Sequence, residues 1–326
     1  MSATHTLQFL DADAIRARLP WPAVLAALDE ALRADVQAPL RASHTVAVPD
    51  GPPATLLMMP AWRVGRSVGV KLVTVFPGNA DCGKRSVSAL YALFDARDGV
   101  PLALLDGEEL TARRTAGASA YAAARLARRD ARTLLVVGAG RIGRELIDAH
   151  RSIRALTHVS VWSRNAEHAE ATAEGCARAG IPARACTDLE AAVAAADIVS
   201  CATLSTTPLV LGRWLRPGVH LDLVGAFRRD MRETDAAALA RADIIAVDDR
   251  TAALAEGGDV VQAIASGAID ERRIAAELRD FARGAHPGRA RDEQITVFKS
   301  VGFALEDLAT AEAALRAEPS PSGSPR

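Results

Sequence analysis

Lysine is scarce in this chain of 326 residues. Of 39 basic residues only three are lysines, Lys71, Lys84 and Lys299, so arginine fills the ordinary basic surface. Lys71 stands inside "VGVKLVTVF", a pattern typical of a β-strand. Strand alternation leaves open whether this side chain reaches the surface or a polar pocket in the sheet. The composition favours the pocket, because an ammonium is compact and its pKa shifts readily on burial.

Cysteine and histidine are also sparse and scattered. The four cysteines lack the short paired spacings of a zinc or redox site, and the seven histidines include no pair at metal-ligand spacing. The sequence therefore predicts no metal site. A disulfide framework is not expected in this composition, and reduced thiols fit a cytoplasmic protein.

The chain has no excess of either charge and no long apolar run. Its formal net charge is -1 and its pI about 6.7, which gives no overall basic field for nucleic acid or an anionic membrane surface. No stretch of about 20 residues is free of charges and breakers, and the N-terminal segment has no apolar core behind a basic start. We expect a cytoplasmic enzyme for small polar or anionic ligands, with neither nucleic acid nor membrane as a partner.

The first third of the chain has the pattern of an α+β domain. Apolar residues at helical spacing over 11–34 predict a helix that "DADA" can cap. Four short segments rich in branched residues follow, "TLLMMPAW", "SVGVKLVTVF", "SALYALFDARDG" and "PLALLDG". Their Pro, Gly and Asp-Gly punctuation predicts an antiparallel sheet of hairpins. A helix is expected from about Thr111.

From Ala131 onward, strands and helices alternate. Six strand-like segments with helical stretches between most of them predict a doubly wound parallel sheet. The expected fold class is α/β, with this sheet inserted into the α+β domain. The predicted boundaries are 1–118, completed by 293–316, for the first domain, 119–292 for the inserted domain and 317–326 for a disordered tail.

A glycine-rich turn opens the inserted domain. "LLVVGAGRIG" places three glycines directly after an apolar strand and at the start of a helix. They allow a tight turn, close approach of the backbone to a pyrophosphate, and close packing of helix on strand. Because a second strand ending at Trp162 falls in register, the motif predicts a Rossmann dinucleotide-binding domain rather than a structural turn. The predicted cofactor-binding residues here are Gly138, Ala139, Gly140, Arg141, Ile142 and Gly143.

The second strand of this domain is not followed by an acid. Roughly 20 residues past the last glycine, where an acidic side chain would accept hydrogen bonds from a ribose, the chain has Ser163, Arg164 and Asn165. An acid there repels a 2′-phosphate, whereas a guanidinium can pair with one. We expect these three residues to contact the cofactor and NADPH to be preferred, with NADH as the alternative. The other interpretation of Arg164 is an ordinary surface arginine.

Four motifs together resemble one known family. "GVKLVTVFPGN", "LTARRTAGASA", "VVGAGRIG" and "TVFKSVGFALEDL", in this order and at these separations, are similar to the ornithine cyclodeaminase and μ-crystallin family, up to about residue 315. The resemblance implies a substrate-binding and dimerisation domain completed by the C-terminal helix, an inserted Rossmann domain, and a homodimer. Members act on 2-amino acids or their cyclic imines with a nicotinamide cofactor.

The resemblance also implies roles for individual residues. Lys71 and Arg114 correspond to the catalytic pair that meets the substrate carboxylate, and an arginine fork matches a carboxylate well. Arg41 corresponds to a third basic contact, with an ordinary surface position as the alternative. Lys299 belongs to a turn on the nicotinamide side or is structural. Further implied cofactor contacts are Thr115, Thr203, Val224, Gly225, Ala226 and Ser300.

Two departures from the family pattern bear on the substrate. Ornithine cyclodeaminases carry an aspartate just after the fifth strand, where this chain has Phe227, and an acid before the "MP" that precedes the lysine strand, where it has "TLLMMP". Without these carboxylates a diamine substrate loses the partner of its second ammonium, whereas an apolar pocket with Phe227 suits a ring. The segment "RRDMRE" is similar to the corresponding segment of ketimine reductases of the μ-crystallin type.

These observations favour an NAD(P)H-dependent reductase of cyclic 2-imino acids. The expected reaction converts Δ1-pyrroline-2-carboxylate or Δ1-piperideine-2-carboxylate to L-proline or L-pipecolate. Lys71 is expected to bind the carboxylate and to act as an acid whose pKa is lowered by two arginines. The alternatives are an NAD-dependent ornithine cyclodeaminase, a related amino-acid dehydrogenase, and a ligand-binding relative with little catalysis.

Overall fold

The computed structural model describes residues 7–317, which divide into two compact units. Residues 7–114 and 303–317 form the first unit, and Thr115–Gly302 form the second. The second unit is thus an insertion in the sequence of the first. The expected tail lies outside the described residues, apart from Ala317.

A six-stranded sheet forms the centre of the first unit. Its strands are β1 (Gln8–Leu10), β2 (Ala42–Val46), β3 (Ala54–Arg63), β4 (Ser67–Val75), β5 (Val87–Asp95) and β6 (Pro101–Asp106). The strand order is β1-β6-β5-β4-β3-β2. All neighbours are antiparallel except β1 and β6, which are parallel. The four segments predicted as hairpin strands correspond to β3 through β6.

An eight-stranded sheet forms the centre of the second unit. Its strands are β7 (Thr133–Val137), β8 (His158–Trp162), β9 (Ala183–Ala185), β10 (Ile198–Cys201), β11 (His220–Leu223), β12 (Ile244–Val247), β13 (Ile274–Glu277) and β14 (Thr296–Lys299). The order is β13-β12-β14-β11-β10-β7-β8-β9, and every pair is parallel. The predicted fold class, an α/β protein with a Rossmann-type parallel sheet and a second, mainly antiparallel sheet, is confirmed.

Both faces of the parallel sheet are buried. Leu135 and Val199 belong to one apolar cluster, whereas Leu134 and Ile198 belong to another. Because neighbouring residues of a strand point to opposite faces, the two clusters cover the two sides of the sheet. This double burial explains why the inner strands β7 and β12 are nearly continuous apolar runs and not alternating ones.

Eleven α-helices complete the described part of the chain. They are α1 (Ala12–Arg18), α2 (Trp21–Arg33), α3 (Gly107–Leu126), α4 (Arg141–Arg151), α5 (Ala166–Arg178), α6 (Leu189–Ala195), α7 (Ala236–Arg241), α8 (Arg250–Glu256), α9 (Gly258–Ala265), α10 (Leu278–Arg283) and α11 (Ala304–Arg316). Within residues 7–317, none of them has both the length and the apolar composition needed to cross a membrane.

The helix predicted over 11–34 is in fact two helices. Asp11 caps α1 by accepting a hydrogen bond of 2.8 Å from the backbone N–H of Ala14, so the predicted cap is present. Pro20 cannot continue α1, because it has no N–H and restricts the residue before it. It stands instead at the N-cap of α2. In the first unit, α11 packs against α2 and against β3, β4 and β5.

The boundaries between the two units differ from the predicted ones. Residues 293–316 were expected to complete the first domain, but β14 pairs with β11 and β12 and so belongs to the parallel sheet. The chain returns to the first unit only at Phe303. At the other boundary the division follows Arg114 rather than residue 118, and α3 begins at Gly107, before the predicted start. Local patterns did not reveal which sheet β14 joins.

Candidate active site

The glycine turn between β7 and α4 has the geometry that the motif predicts. Gly138 has φ +119°, which L side chains rarely adopt, and a Cβ there would lie 2.5 Å from the carbonyl oxygen of Ala202. A Cβ at Gly143 would overlap the carbonyl oxygen of Gly138. The backbone N–H of Gly138 donates to the carbonyl of Trp162 at 2.8 Å. The fold itself therefore requires glycine at 138 and 143.

Gly140 differs from the other two glycines because the fold does not require it. Its φ of −75° and ψ of −175° are open to any residue, and a Cβ there would have no neighbour within 4 Å. It is the N-cap of α4, and no side chain caps that helix end. A helix N-terminus of this kind is suited to bind a phosphate. A glycine at an open position beside these groups fits a dinucleotide pyrophosphate, whose close approach excludes a side chain.

The predicted specificity residues directly follow β8, at the carboxyl edge of the parallel sheet. Arg164 is exposed and Ser163 half-buried. Asn165 is the N-cap of α5, and its side chain accepts a hydrogen bond of 2.9 Å from the N–H of Glu167. That capping bond occupies the carbonyl oxygen of Asn165, so its contact with a cofactor stays a prediction.

Glu233 joins the two predicted cofactor segments that follow β10 and β11. One carboxylate oxygen accepts hydrogen bonds from the N–H and the hydroxyl of Thr203, at 2.6 and 2.8 Å. The other oxygen accepts from the N–H of Gly225 at 2.7 Å. Thr203 is half-buried, and Gly225 stands between the buried Val224 and Ala226. Glu233 therefore fixes the distance between the two segments, a role that the sequence analysis missed.

A second acid and a lysine complete this buried group, which we call the Lys299 cluster: Glu233, Asp259 and Lys299. Asp259 accepts from the N–H groups of Glu233 and Thr234, at 2.7 and 3.0 Å. The Lys299 ammonium lies 3.1 Å from the other oxygen of Asp259. Burial raises the pKa of Glu233 from 4.5 to about 7; Lys299 opposes this rise and Asp259 adds to it.

The predicted cofactor residue Ser300 is held by a further buried acid. Its hydroxyl donates to Asp248 at 3.0 Å, and the same carboxylate oxygen accepts from the N–H groups of Val301 and Gly302 at 2.7 and 2.6 Å. Burial raises the pKa of Asp248. Asp248 thus shapes the turn after β14, and the Ser300 hydroxyl points to this acid.

In the first unit, Lys71 and Arg114 meet at one carboxylate. The Lys71 ammonium and the Arg114 Nε both lie 2.9 Å from Oδ1 of Asp307 in α11. Arg114 Nη1 also donates to Glu306 at 2.8 Å. All four side chains are buried. We call this group the Lys71 cluster: Lys71, Arg114, Glu306 and Asp307.

Burial makes the Lys71 ammonium an unusually good acid. The pKa of Lys71 falls from 10.5 to about 8; burial is the largest cause and the charge of Arg114 contributes, while Asp307 and Glu306 oppose the shift. The predicted effect of an arginine is present, but burial is the larger cause. Lys71 is therefore mostly charged at neutral pH and loses its proton more readily than an ordinary lysine.

Arg41 lies at the edge of the same sheet. It immediately precedes β2, and extending the β2–β3 register by one residue places it opposite Met59, which pairs with Lys71. Two strand spacings, about 10 Å, separate this position from Lys71. Arg41 is half-buried. Its predicted contact with substrate is untested.

The remaining predicted residues are placed as follows. Thr115 is buried and follows Arg114 in α3. Phe227 is half-buried, and its N–H donates to the carbonyl of Gly225 at 3.0 Å. Arg141 and Ile142 form the first turn of α4. Each unit thus contains its own set of predicted residues: the carboxylate-binding pair lies in the first unit, and all the predicted cofactor residues lie in the second.

Comparison with known proteins identifies the family. The model of the Ornithine cyclodeaminase/mu-crystallin family matches residues 12–316. The chain belongs to this family. The resemblance drawn from four short motifs is confirmed.

Relatives within this family narrow the comparison. A Delta(1)-pyrroline-2-carboxylate reductase of Paracoccus denitrificans is 40% identical over 303 residues, which cover 92% of this chain and 94% of the relative. The solved Delta(1)-pyrroline-2-carboxylate reductase of Thermococcus litoralis, in complex with NADH and L-proline, is 32% identical with a TM-score of 0.88, over 95% of this chain and 96% of that one. An archaeal alanine dehydrogenase dimer with bound NAD is 28% identical with a TM-score of 0.86, over 95% of both chains.

Proposed function

We propose that this protein is an NAD(P)H-dependent reductase of cyclic 2-imino acids that converts Δ1-pyrroline-2-carboxylate or Δ1-piperideine-2-carboxylate to L-proline or L-pipecolate. The observation that carries the proposal is the buried pairing of Lys71 and Arg114 through one oxygen of Asp307. Two relatives named as pyrroline-2-carboxylate reductases support it. The cyclodeaminase alternative is weaker, because Phe227 stands where ornithine cyclodeaminases carry an acid.

The two cations have distinct tasks in this proposal. Arg114, held by Glu306 and Asp307, is fixed before substrate arrives and orients its carboxylate without reorganisation. Bound NAD(P)H supplies a hydride to the imine carbon. A protonated imine nitrogen accepts that hydride better, and Lys71 is an acid of suitable pKa to supply the proton.

The cofactor is expected to bind with its pyrophosphate on the first turn of α4 and its nicotinamide half along Thr203, Gly225 and Ser300. The open position at Gly140 supports the first contact, and the shared anchor of Thr203 and Gly225 on Glu233 supports the second. Arg164 favours NADPH, because none of the residues 163–165 directly after β8 is acidic and a guanidinium can pair with a 2′-phosphate. Replacing Arg164 by alanine should lower the ratio of kcat/KM with NADPH to kcat/KM with NADH.

We further propose a homodimer formed through the open face of the six-stranded sheet. Leu72 and Leu90 are neighbours across β4 and β5, on the face opposite Lys71, and both remain exposed. Phe9 of β1 is 64% exposed on the same face. A second copy of the chain would cover these residues, and the related alanine dehydrogenase is a dimer. Light scattering should give twice the chain mass, and Leu72→Glu should give a monomer. A cytoplasmic location remains a prediction from the sequence.

Steady-state assays test the proposed reaction. The protein is expected to oxidise NADPH with either cyclic imine and to form no ammonia from L-ornithine and NAD. Ammonia release at a rate comparable to imine reduction would instead assign a cyclodeaminase. Saturable NADPH binding without turnover of either imine would indicate a ligand-binding protein.

A further inference from the structure

Two consecutive acids lie in the first turn of α11, and their contacts differ. One oxygen of Asp307, Oδ1, accepts from both cations of the Lys71 cluster: the Lys71 ammonium and the Arg114 Nε each lie 2.9 Å from it. Glu306 accepts from Arg114 Nη1 at 2.8 Å. Asp307 is therefore the acid that joins the two cations.

The shared oxygen holds the two cations beside each other. Lys71 belongs to β4, Arg114 to α3 and Asp307 to α11, so three separate elements meet at one atom. All three side chains are buried, where hydrogen bonds between charged groups are stronger than in water. Two positive charges this close repel each other, and the carboxylate between them offsets the repulsion. The position of Asp307 therefore determines the spacing of the two donors that the proposed substrate carboxylate meets.

The titratable groups that face Lys71 come from three elements: Arg114 of α3, Glu306 and Asp307 of α11, and Tyr91 of β5, which is in register with Lys71. The β3 residue in register with Lys71 is a methionine. Burial raises the pKa of Tyr91 well above 10, so this side chain stays neutral. Burial and then the charge of Arg114 lower the pKa of Lys71. Asp307 opposes this lowering through its charge and its hydrogen bond, and Glu306 opposes it less strongly.

We propose that Asp307 is a positioning residue for the reduction: it holds Lys71 and Arg114 side by side for the substrate carboxylate and keeps Lys71 protonated before hydride transfer. The inference rests on the proposed function, in which Lys71 gives a proton to the imine nitrogen while hydride from NAD(P)H adds to the imine carbon. The products are the cyclic amino acid, NAD(P)⁺ and neutral Lys71, which takes up one proton from solvent per turnover. Asp307 acts through the two cations and not by contact with substrate.

Asp307→Asn separates the charge of this residue from its hydrogen bonds. The amide oxygen can still accept from both cations. The other oxygen, Oδ2, is buried without a partner among residues 7–317, so the amide nitrogen meets no hydrogen-bond donor there. Loss of an opposite charge at this distance should lower the pKa of Lys71 by about one unit or more. The pH at which kcat for Δ1-pyrroline-2-carboxylate falls to half should decrease with it.

The scarcity of lysine allows a direct measurement in the full-length protein. With ¹³C-labelled lysine the chain gives NMR signals from three lysines only, and Lys71→Met identifies the signal of Lys71. Titration of this signal gives the Lys71 midpoint without any turnover, and the wild-type midpoint should lie near pH 8. A lower midpoint in Asp307→Asn supports the proposal. A merely structural acid leaves the midpoint and the pH profile of kcat unchanged, and that result would overturn it.

Two further variants of α11 serve as controls. Glu306→Gln removes the neighbouring buried charge and should lower the Lys71 midpoint by less, since Glu306 acts on Lys71 less strongly; an equal shift would remove the special role of Asp307. Asp307→Glu keeps the charge and should restore the midpoint toward wild type. If Asp307→Asn does not fold, Asp307→Ser, which is also neutral, decides by the same midpoint. A wild-type protein that reduces neither imine contradicts the proposed function instead, while the midpoints still measure the effect of Asp307 on Lys71.

Discussion

The two units each contain a buried lysine, but the two lysines stand in opposite surroundings. In the Lys71 cluster, two cations pair with two acids, and the lysine has its pKa lowered to about 8. In the Lys299 cluster, one cation lies among two acids, and Glu233 has its pKa raised to about 7. Burial is the largest cause of both shifts; the positive charge of Arg114 adds to it at Lys71, whereas the positive charge of Lys299 opposes it at Glu233.

The acids of the two clusters have different roles: those of the Lys71 cluster hold side chains proposed to react with substrate, and those of the Lys299 cluster hold loops in position. Asp307 and Glu306 bind side chains that are predicted to touch substrate, so the first unit presents charged groups. Glu233 and Asp259 accept mainly from backbone N–H groups, so the second unit uses its acids to hold loops in place. We therefore expect changes in the first cluster to affect turnover and changes in the second to affect stability and cofactor affinity.

Replacing Lys71 by methionine should have the largest effect on turnover. The variant keeps most of the volume but loses the ammonium that binds the carboxylate and donates the proton, so kcat should fall by about a thousandfold. NADPH affinity, measured by fluorescence titration, should change by less than about twofold if the two clusters act separately. Native-rate imine reduction by this variant would remove Lys71 from the proposed mechanism.

Replacing Lys299 by methionine should instead affect folding. Asp259 and Glu233 would remain buried without their cation, and removing one partner of a buried ion pair typically costs about 3–5 kcal/mol of unfolding free energy. Denaturant titration measures this loss. The third lysine is the control: Lys84 is exposed, and Lys84→Met should stay within about 0.5 kcal/mol of wild type. Equal stability of the Lys84 and Lys299 variants would contradict a structural role for Lys299.

The sequence predicted the backbone of both sites better than their ion pairs. The glycine turn could be recognised because strand, turn and helix are adjacent in the chain. Lys71 and Asp307 lie 236 positions apart, and Arg114 and Glu306 lie 192 apart, so no local pattern joins them. One signal was present: "FALEDLATAEAAL" places two consecutive acids in an apolar helix, and buried acids need partners.

Local sequence patterns also could not predict which sheet a strand joins. The segment that forms β14 was recognised as a strand, but its assignment to the parallel sheet depends on pairing with β11 and β12. β13 was missed because four residues with one exposed position carry a weak signal. The prediction of a single helix over 11–34 was wrong at Pro20, because it gave the apolar spacing more weight than the helix-breaking proline.

The pH dependence of stability should distinguish the two clusters. The folded pKa of Lys71 is lowered, so the unfolded chain binds more protons between about pH 8 and 10.5, and this residue makes stability rise with pH in that window. The folded pKa of Glu233 is raised, so the folded chain binds more protons between about pH 4.5 and 7, and this residue makes stability fall as pH rises there.

Two variants assign these slopes. Lys71→Met should flatten the upper window only, and Glu233→Gln the lower window only, in urea titrations at several pH values. In the same upper window the wild-type kcat should fall as pH rises through about 8, because the ammonium is the proposed acid. Activity and the Lys71 contribution to stability therefore change in opposite directions. A wild-type kcat that is flat from pH 7 to 9 would contradict the role of Lys71 as an acid.

A small change in stability is expected at the glycine turn between β7 and α4. Gly140→Ala introduces a Cβ into open space at an ordinary backbone conformation, but alanine is a poorer N-cap than glycine, so the unfolding free energy should change by less than about 1 kcal/mol. NADPH affinity should nevertheless fall, because the methyl group occupies the proposed position of the pyrophosphate. Gly175→Ala, within α5 with no atom closer than 3.9 Å to the added Cβ, should raise the unfolding free energy by up to about 1 kcal/mol and leave NADPH affinity unchanged. If both variants bind NADPH like wild type, the backbone N–H groups of α4 do not hold the phosphate, and the contrast between a side-chain site and a backbone site fails.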